Sequence, residues 1–179
     1  MNSAKILAAG LLLALAGCSG SGGGSKPASG KTFAMGTPAQ AGLLTYTVIH
    51  SEWKETLDTE SGTVTPKHRF LVLDISIANV GAEEAAAPLL FLVSEKGAET
   101  IESQELRGLE GWLGIMRILR PSGTVSGKIA FDVPMANYKL KVSSGGDPEK
   151  EVESFIEIPL RIEGSGASGT ETVPGAGTK

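Results

Sequence analysis

The sequence is poor in the side chains on which most enzymes and metal carriers depend. It holds one cysteine and two histidines among 179 residues. A lone cysteine closes no disulfide within a chain, and His50 and His68 cannot complete a tetrahedral zinc site without ligands from elsewhere. No metal site is expected. No Gly-x-Ser-x-Gly turn occurs, and no glycine-rich loop leads from a strand into a helix, so neither a serine nucleophile elbow nor a phosphate cradle is expected. The reading is therefore non-enzymatic and without a cofactor. Positive charge is also in short supply: 16 Lys and Arg face 20 Asp and Glu, a net charge of −4, with no basic block. That is the wrong electrostatic footprint for nucleic acid. Helical composition is scarce as well, and the longest apolar run, Ile6 to Ala16, falls short of the about 20 residues that a membrane-spanning helix needs.

That run has the length of a signal-peptide core, and Lys5 supplies the positive charge ahead of it. It ends in Leu15-Ala16-Gly17-Cys18, which resembles the lipobox of bacterial lipoproteins. The resemblance implies cleavage between Gly17 and Cys18 and lipidation of Cys18, with the membrane as partner through the lipid anchor. The mature chain would then lose Lys5, keep 15 positive against 20 negative side chains and hold no free thiol. Two or three acyl chains anchor almost permanently where one holds marginally. Ser19, a residue other than Asp after the cysteine, implies the outer membrane if the cell has two. The expected location is the cell envelope, facing the periplasm or the exterior.

Half of the 24 glycines fall in residues 1–31 and 163–179, so the two ends differ in kind from the middle. Residues 1–17 read as signal peptide and 18–37 as the lipidated cysteine with a Gly/Ser linker. Residues 38–162 read as the folded domain, and 163–179, small and polar, as a disordered tail.

Within the domain the apolar period is two. Arg69 to Asn79 sets Leu71, Leu73, Ile75 and Ile77 on one face and Val72, Asp74, Ser76 and Ala78 on the other, a half-buried strand. Gly123 to Val133 alternates in the same way, with Gly127 at an inward position that marks a bulge. Ile156, Ile158, Leu160 and Ile162 form a last strand, placed at a sheet edge because Pro159 cannot donate to a ladder. Weaker strands are expected at Leu44 to Trp53, Ala87 to Ser94, Thr100 to Gln104, Ile115 to Leu119 and Tyr138 to Ser143. The polar stretch Lys54 to Lys67 reads as a loop or mobile hairpin.

Three stretches carry a family resemblance. They are a long strand ending in an Asn-x-Gly turn, PKHRFLVLDISIANVGAEE; a short apolar strand and glycine, LLFLVSEKGAET; and a Pro-x-Gly turn, Pro121-Ser122-Gly123, feeding a strand that ends Phe131-Asp132-Val133-Pro134. In order and spacing they resemble the telokin-like, immunoglobulin-fold extracellular domains of bacterial lipoproteins, a DUF4352-like family of unknown function. The resemblance implies an all-β, antiparallel immunoglobulin-like sandwich of seven or eight strands and no established activity.

Candidate binding residues are few. Trp112 and Leu113, within the glycine-punctuated run Arg107 to Met116, could anchor a partner, although a tryptophan between the sheets is a common filler of such sandwiches. Trp53 reads either as an exposed anchor or as a lid on one end. Glu52, Glu55, Asp58 and Glu60 read as a solvated acidic loop rather than a calcium site. The expected function is a non-catalytic binding or structural module in the envelope, with an envelope protein or the cell wall as partner. The rival is an inhibitor-like or chaperone-like sandwich acting through loops or an open edge strand.

Overall fold

The computed structural model describes residues 30–146 and 149–161. Cys18, the proposed cleavage site beside it, most of the linker and the tail lie outside the described residues. Strands β1 (Lys31–Ala34), β2 (Ala39–Ala41), β3 (Leu44–Lys54), β4 (Leu57–Thr59), β5 (Gly62–Val64), β6 (Arg69–Asn79) and β7 (Ala85–Ala87) come first. They are followed by β8 (Phe91–Ser94), β9 (Glu99–Ile101), β10 (Arg117–Leu119), β11 (Thr124–Val133), β12 (Tyr138–Ser143) and β13 (Glu153–Ile158). No helix occurs among the described residues.

Two sheets make the sandwich, one ordered β1-β13-β12-β8-β9 and the other β11-β6-β3-β2, with two-stranded ribbons β10-β7 and β4-β5 beside them. Every pairing is antiparallel except that of β1 with β13. The two sheets thus hold nine strands rather than seven or eight, because segments of three or four residues such as β1 and β2 carry too short a pattern to be read. Residues 31–34, which composition groups with the linker, are one of them. The last strand is corrected too: β13 is an inner strand between β1 and β12, and Pro159 lies just past its end, where no ladder bond is required.

The period-two pattern is realised in the core. Leu71, Leu73, Ile75 and Ile77 of β6 face the other sheet and are buried with Leu92, Leu140 and Ile156. Sealing each such side chain from water is worth about 1.5–3 kcal/mol. The opposite face of β6 is polar only in its second half. Phe70 and Val72 join Leu57, Leu106 and Ala130 in a second cluster, covered by the β4-β5 hairpin and by the segment 103–116, called here the strap. The expected hairpin between Lys54 and Lys67 therefore forms, and it is packed down by Leu57 and Val64.

Two local devices differ from the sequence reading. Gly127 is no bulge: it sits in unbroken register opposite Ile75. A β-carbon there would lie 2.6 Å from the Gly111 carbonyl oxygen and 3.1 Å from the Leu113 Cα, so glycine is needed for the close approach of the strap. The bulge is instead in β3, between Val48 and His50. It changes the parity of the strand: Leu44, Tyr46 and Val48 face the core before it, and Trp53, opposite Leu71, does so after it.

Polar groups close the edges of the core. Asn79, buried, donates from Nδ2 to the carbonyls of Glu83 at 2.7 Å and Leu119 at 3.0 Å, and its Oδ1 accepts from the Gly81 N–H at 2.9 Å. This one side chain ties the Asn-x-Gly turn to the strand leading into the Pro-x-Gly turn. Glu102 and Arg117 flank the strap, their side chains each 1 % exposed. The guanidinium grips the carboxylate with both terminal nitrogens. Arg117 Nε donates to the Gly114 carbonyl at 2.7 Å, and the Leu90 N–H donates to Glu102 at 2.7 Å. Tyr46, also buried, crosses the sandwich and donates its hydroxyl to the Ser143 carbonyl at 2.7 Å.

Glu102→Leu leaves a buried, unpaired guanidinium and should cost about 3–5 kcal/mol in urea unfolding, whereas adding Arg117→Met should restore part of the loss by removing that charge, the Leu90 N–H and Gly114 carbonyl staying unpaired. A single variant within about 1 kcal/mol of wild type would contradict this account. Burial lifts the Tyr46 hydroxyl well above its ordinary value, with the Arg117 charge opposing; burial also raises Tyr138. The folded state thus holds these protons more tightly than the unfolded one, so their contribution is complete below about pH 10 and is lost as the pH climbs through the raised folded values. Unfolding followed by circular dichroism should show stability falling above about pH 10. Tyr46→Phe should flatten that fall while lowering neutral-pH stability by about 1–2 kcal/mol for the lost hydrogen bond.

Candidate binding surface

The strap carries the sequence-predicted residues Trp112 and Leu113. It leaves β9 through Glu102 and is fixed at once, the Ser103 N–H donating to the Ala130 carbonyl at 2.7 Å. Two tight turns follow, closed by bonds from the Leu109 and Trp112 N–H groups to the Leu106 and Leu109 carbonyls, both 3.0 Å. The chain then runs beside β11. The Lys128 N–H donates to Gly111 and the Leu113 N–H donates to Lys128, giving one parallel bridge at Trp112. Neighbouring residues of an extended segment point opposite ways. Trp112 accordingly packs on the second cluster, outside the sandwich, while Leu113 turns to the main core at the position Gly127 leaves open.

Trp112 is therefore not the filler between the sheets. Its indole Nε1 is buried and finds no hydrogen-bond partner among the described residues. Trp53, opposite Leu71, is half-buried against the main core, on the other face of the sheet from Trp112. The structure joins Trp112 and Leu113 through the chain but does not bring Trp53 to them.

The polar candidates stay dispersed. His50 pairs across to Asp74, whereas His68 precedes Arg69 at the far end of β6, six positions and on the order of 20 Å away. His68 lies beside Asp132, whose carboxylate accepts the Lys67 and His68 N–H groups at 2.6 and 2.8 Å. Of the acidic stretch, Glu52 pairs with Lys54, Glu55 with Arg69, and Asp58 accepts from the Thr63 hydroxyl. Each of these three carboxylates has its own neighbour. Among the described residues no three His, Cys, Asp or Glu side chains gather as a metal site would require.

Two surfaces escape the sequence reading. One is a cleft of about 800 Å³ on the outer face of the five-stranded sheet, where Thr32, Val93, Lys139 and Phe155 meet Met35 and Arg161. Beside it Lys141 lies 2.7 Å from Glu99 and 4.9 Å from the centre of the Phe91 ring. The alternation of β12 and β13 carries the signal for this face, but the ordering of the strands that assembles it does not appear in the sequence. The other is an exposed apolar stretch at the end of the strap, Ile115, Met116 and Ile118.

Gly108 and Gly114 of the strap both have positive φ, +88° and +74°. A β-carbon at Gly108 would meet the Glu60 backbone N at 2.3 Å, while one at Gly114 would meet nothing. Gly114→Ala should then cost only the backbone term of about 1–2 kcal/mol. Gly108→Ala should cost clearly more and should shift tryptophan emission to the red, as the strap and Trp112 lift off the hairpin. Equal losses with unchanged emission would show that the strap is not seated through Gly108.

No curated protein is significantly similar to the chain in sequence. Among solved structures, the yjhA protein of Bacillus subtilis is similar with a TM-score of 0.54 at 14 % identity, over 70 % of this chain and 98 % of that one. The ycdA protein of Bacillus subtilis subsp. subtilis str. 168, titled a "putative lipoprotein", gives a TM-score of 0.55 at 14 % identity, over 71 % of this chain and 39 % of that one. At such identities the likeness is one of fold. The family described as "Domain of unknown function (DUF4352)" matches residues 33–150. These span the strands from β2 to β12, the Asn79 turn and the strap with its Glu102–Arg117 clasp, and it is to this family that the chain belongs.

Proposed function

We propose that the chain is a lipid-anchored envelope protein whose β-sandwich is a non-catalytic binding or structural module. The observation that carries the reading is the placement of the only cysteine, Cys18, directly after an apolar run ending Leu15-Ala16-Gly17 and twelve residues ahead of the first described residue, Gly30. A fold shared with a protein titled a lipoprotein supports it. The buried polar side chains support the absence of chemistry, because Asn79, Glu102, Arg117 and Ser154 each bind backbone or one another.

The edges favour a partner that meets a surface over one that adds a strand. The strap lies along β11. The β2 side is tied to β13, the Ser154 hydroxyl donating to the Gln40 carbonyl at 2.8 Å. The remaining edges, β1 and β9, have four and three residues, shorter than the usual strand and a poor template for strand addition.

Mass spectrometry of the membrane fraction tests the anchor. Wild-type protein should begin at Cys18 and carry a diacylglyceryl mass, and Cys18→Ser should lose that mass and leave the membrane. An unmodified protein that retains residues 1–17 would overturn the reading.

A further inference from the structure

Among the described residues, exposed Ile49, Ile101 and Met135 stand apart, whereas Leu43, Val80, Met116, Ile118 and Val152 gather. Leu43 and Val80 sit together, the Val80 N–H donating to the Leu43 carbonyl at 2.8 Å. The turn between β12 and β13 adjoins them: Gly42 abuts Ser144, and Val152, itself exposed, is bonded to Ser144. On its other side that turn reaches the β7-β10 ribbon, where a side chain on Gly145 would meet the Ala86 carbonyl at 3.2 Å. Ala86 pairs with Ile118, 57 % exposed, and Met116, 83 % exposed, continues the strip. All of this lies at one end of the sandwich. The same end receives the N-terminus, since Lys31 pairs with Ser154 and Gly30 packs against the Glu153 carbonyl.

Gly30 stands twelve residues after Cys18, and twelve residues span at most about 43 Å when fully extended. The eleven-residue strand β6 is itself about 36 Å long. A lipid on Cys18 would thus hold the apolar end within about one domain length of the bilayer. Exposed Glu83, Glu84, Glu149 and Glu151 are nearly balanced by exposed Lys31, Arg120 and Lys150 at the same end, so this end carries no basic patch that would call for anionic headgroups, and a neutral lipid surface suits it. We infer that this end of the sandwich docks on a zwitterionic lipid surface, seating Val80, Met116 and Ile118 at the headgroup boundary. The inference rests on the anchoring reading above. Interfacial binding of this kind grows with the apolar area buried, and a tether multiplies a weak contact by holding it at high local concentration.

The test places the chain from Cys18 onward, which keeps every described residue, on phosphatidylcholine vesicles through a maleimide lipid coupled to the Cys18 thiol. Amide hydrogen exchange is compared with that of the same chain capped by a small soluble maleimide. Residues 80–86 and 115–118 should exchange about fivefold more slowly on vesicles, while the turns at 95–98 and 134–137, at the far end, should be unchanged. Met116→Ser with Ile118→Ser should abolish the protection, and phosphatidylglycerol in the vesicles should not strengthen it. Equal exchange at both ends on and off vesicles would overturn the inference. So would protection that appears without vesicles and grows with protein concentration, since a second copy would then be the occupant. Because the coupling is artificial, the two readings fail separately. Protection on vesicles without native acylation removes the anchor alone, and native acylation without protection removes the docking surface alone.

Discussion

The Glu102–Arg117 pair is the constraint on which the unusual part of this sandwich depends. A segment of fourteen residues without regular structure cannot lie on a protein unless its ends are held and its backbone groups are satisfied. The pair holds both ends at one point. It also recruits backbone that would otherwise be orphaned, the Leu90 N–H and the Gly114 carbonyl. A buried ion pair of this kind is a doubtful source of net stability. What it supplies is position: an apolar pair could fill the same volume but could not bind those backbone groups.

With its ends held, the strap acts on two sheet features at once. It covers part of the β11 edge, which would otherwise expose unpaired backbone groups to strand addition, and it roofs the outer faces of β6 and β11. Both results depend on alternation within two residues, Trp112 to the outer cluster and Leu113 to the inner core. They depend equally on Gly127, because any side chain there would collide with the strap backbone. Among the described residues the Trp112 indole N–H has no partner, a cost of its burial in the second cluster.

Much of this was legible in the sequence, and the remainder fails for identifiable reasons. The bounds of β6 and the inward face of Leu71, Leu73, Ile75 and Ile77 follow from period two over eleven residues, long enough for the pattern to be unambiguous. The Asn-x-Gly turn was legible because a short amide side chain is suited to bind its own backbone two residues on. The short strands β1 and β2 were not, since three or four residues contain too little alternation to measure, whereas β9 and β10 fall within longer stretches of strand character. Gly127 signals either a kink or a close approach and only the tertiary neighbour decides which, while the β3 bulge between Val48 and His50 leaves no mark in the sequence. Pro159 misled for a similar reason: its missing N–H matters only if a ladder bond is due there, and β13 ends one residue earlier. For Trp112 the sequence leaves open an anchor or a filler between the sheets, because composition does not say which layer covers a tryptophan, and the strap sets it on the outer cluster.

The buried amide of Asn79 and the Glu102–Arg117 pair are committed to backbone or to one another, so what the domain offers a partner is its outside. That outside is polarised. The outer face of the five-stranded sheet is a ladder of charge in which Lys141 answers Glu99 and covers Phe91, so its polar groups partly satisfy one another. The end where the N-terminus enters is different, with apolar side chains set on turns and the β7-β10 ribbon, where core packing does not require them. Ile118 is the clearest case. Its neighbours in β10, Arg117 and Leu119, are buried while it points outward, so a polar residue would serve the fold as well. Apolar side chains at positions that folding leaves free are the ones most directly explained by something outside the chain.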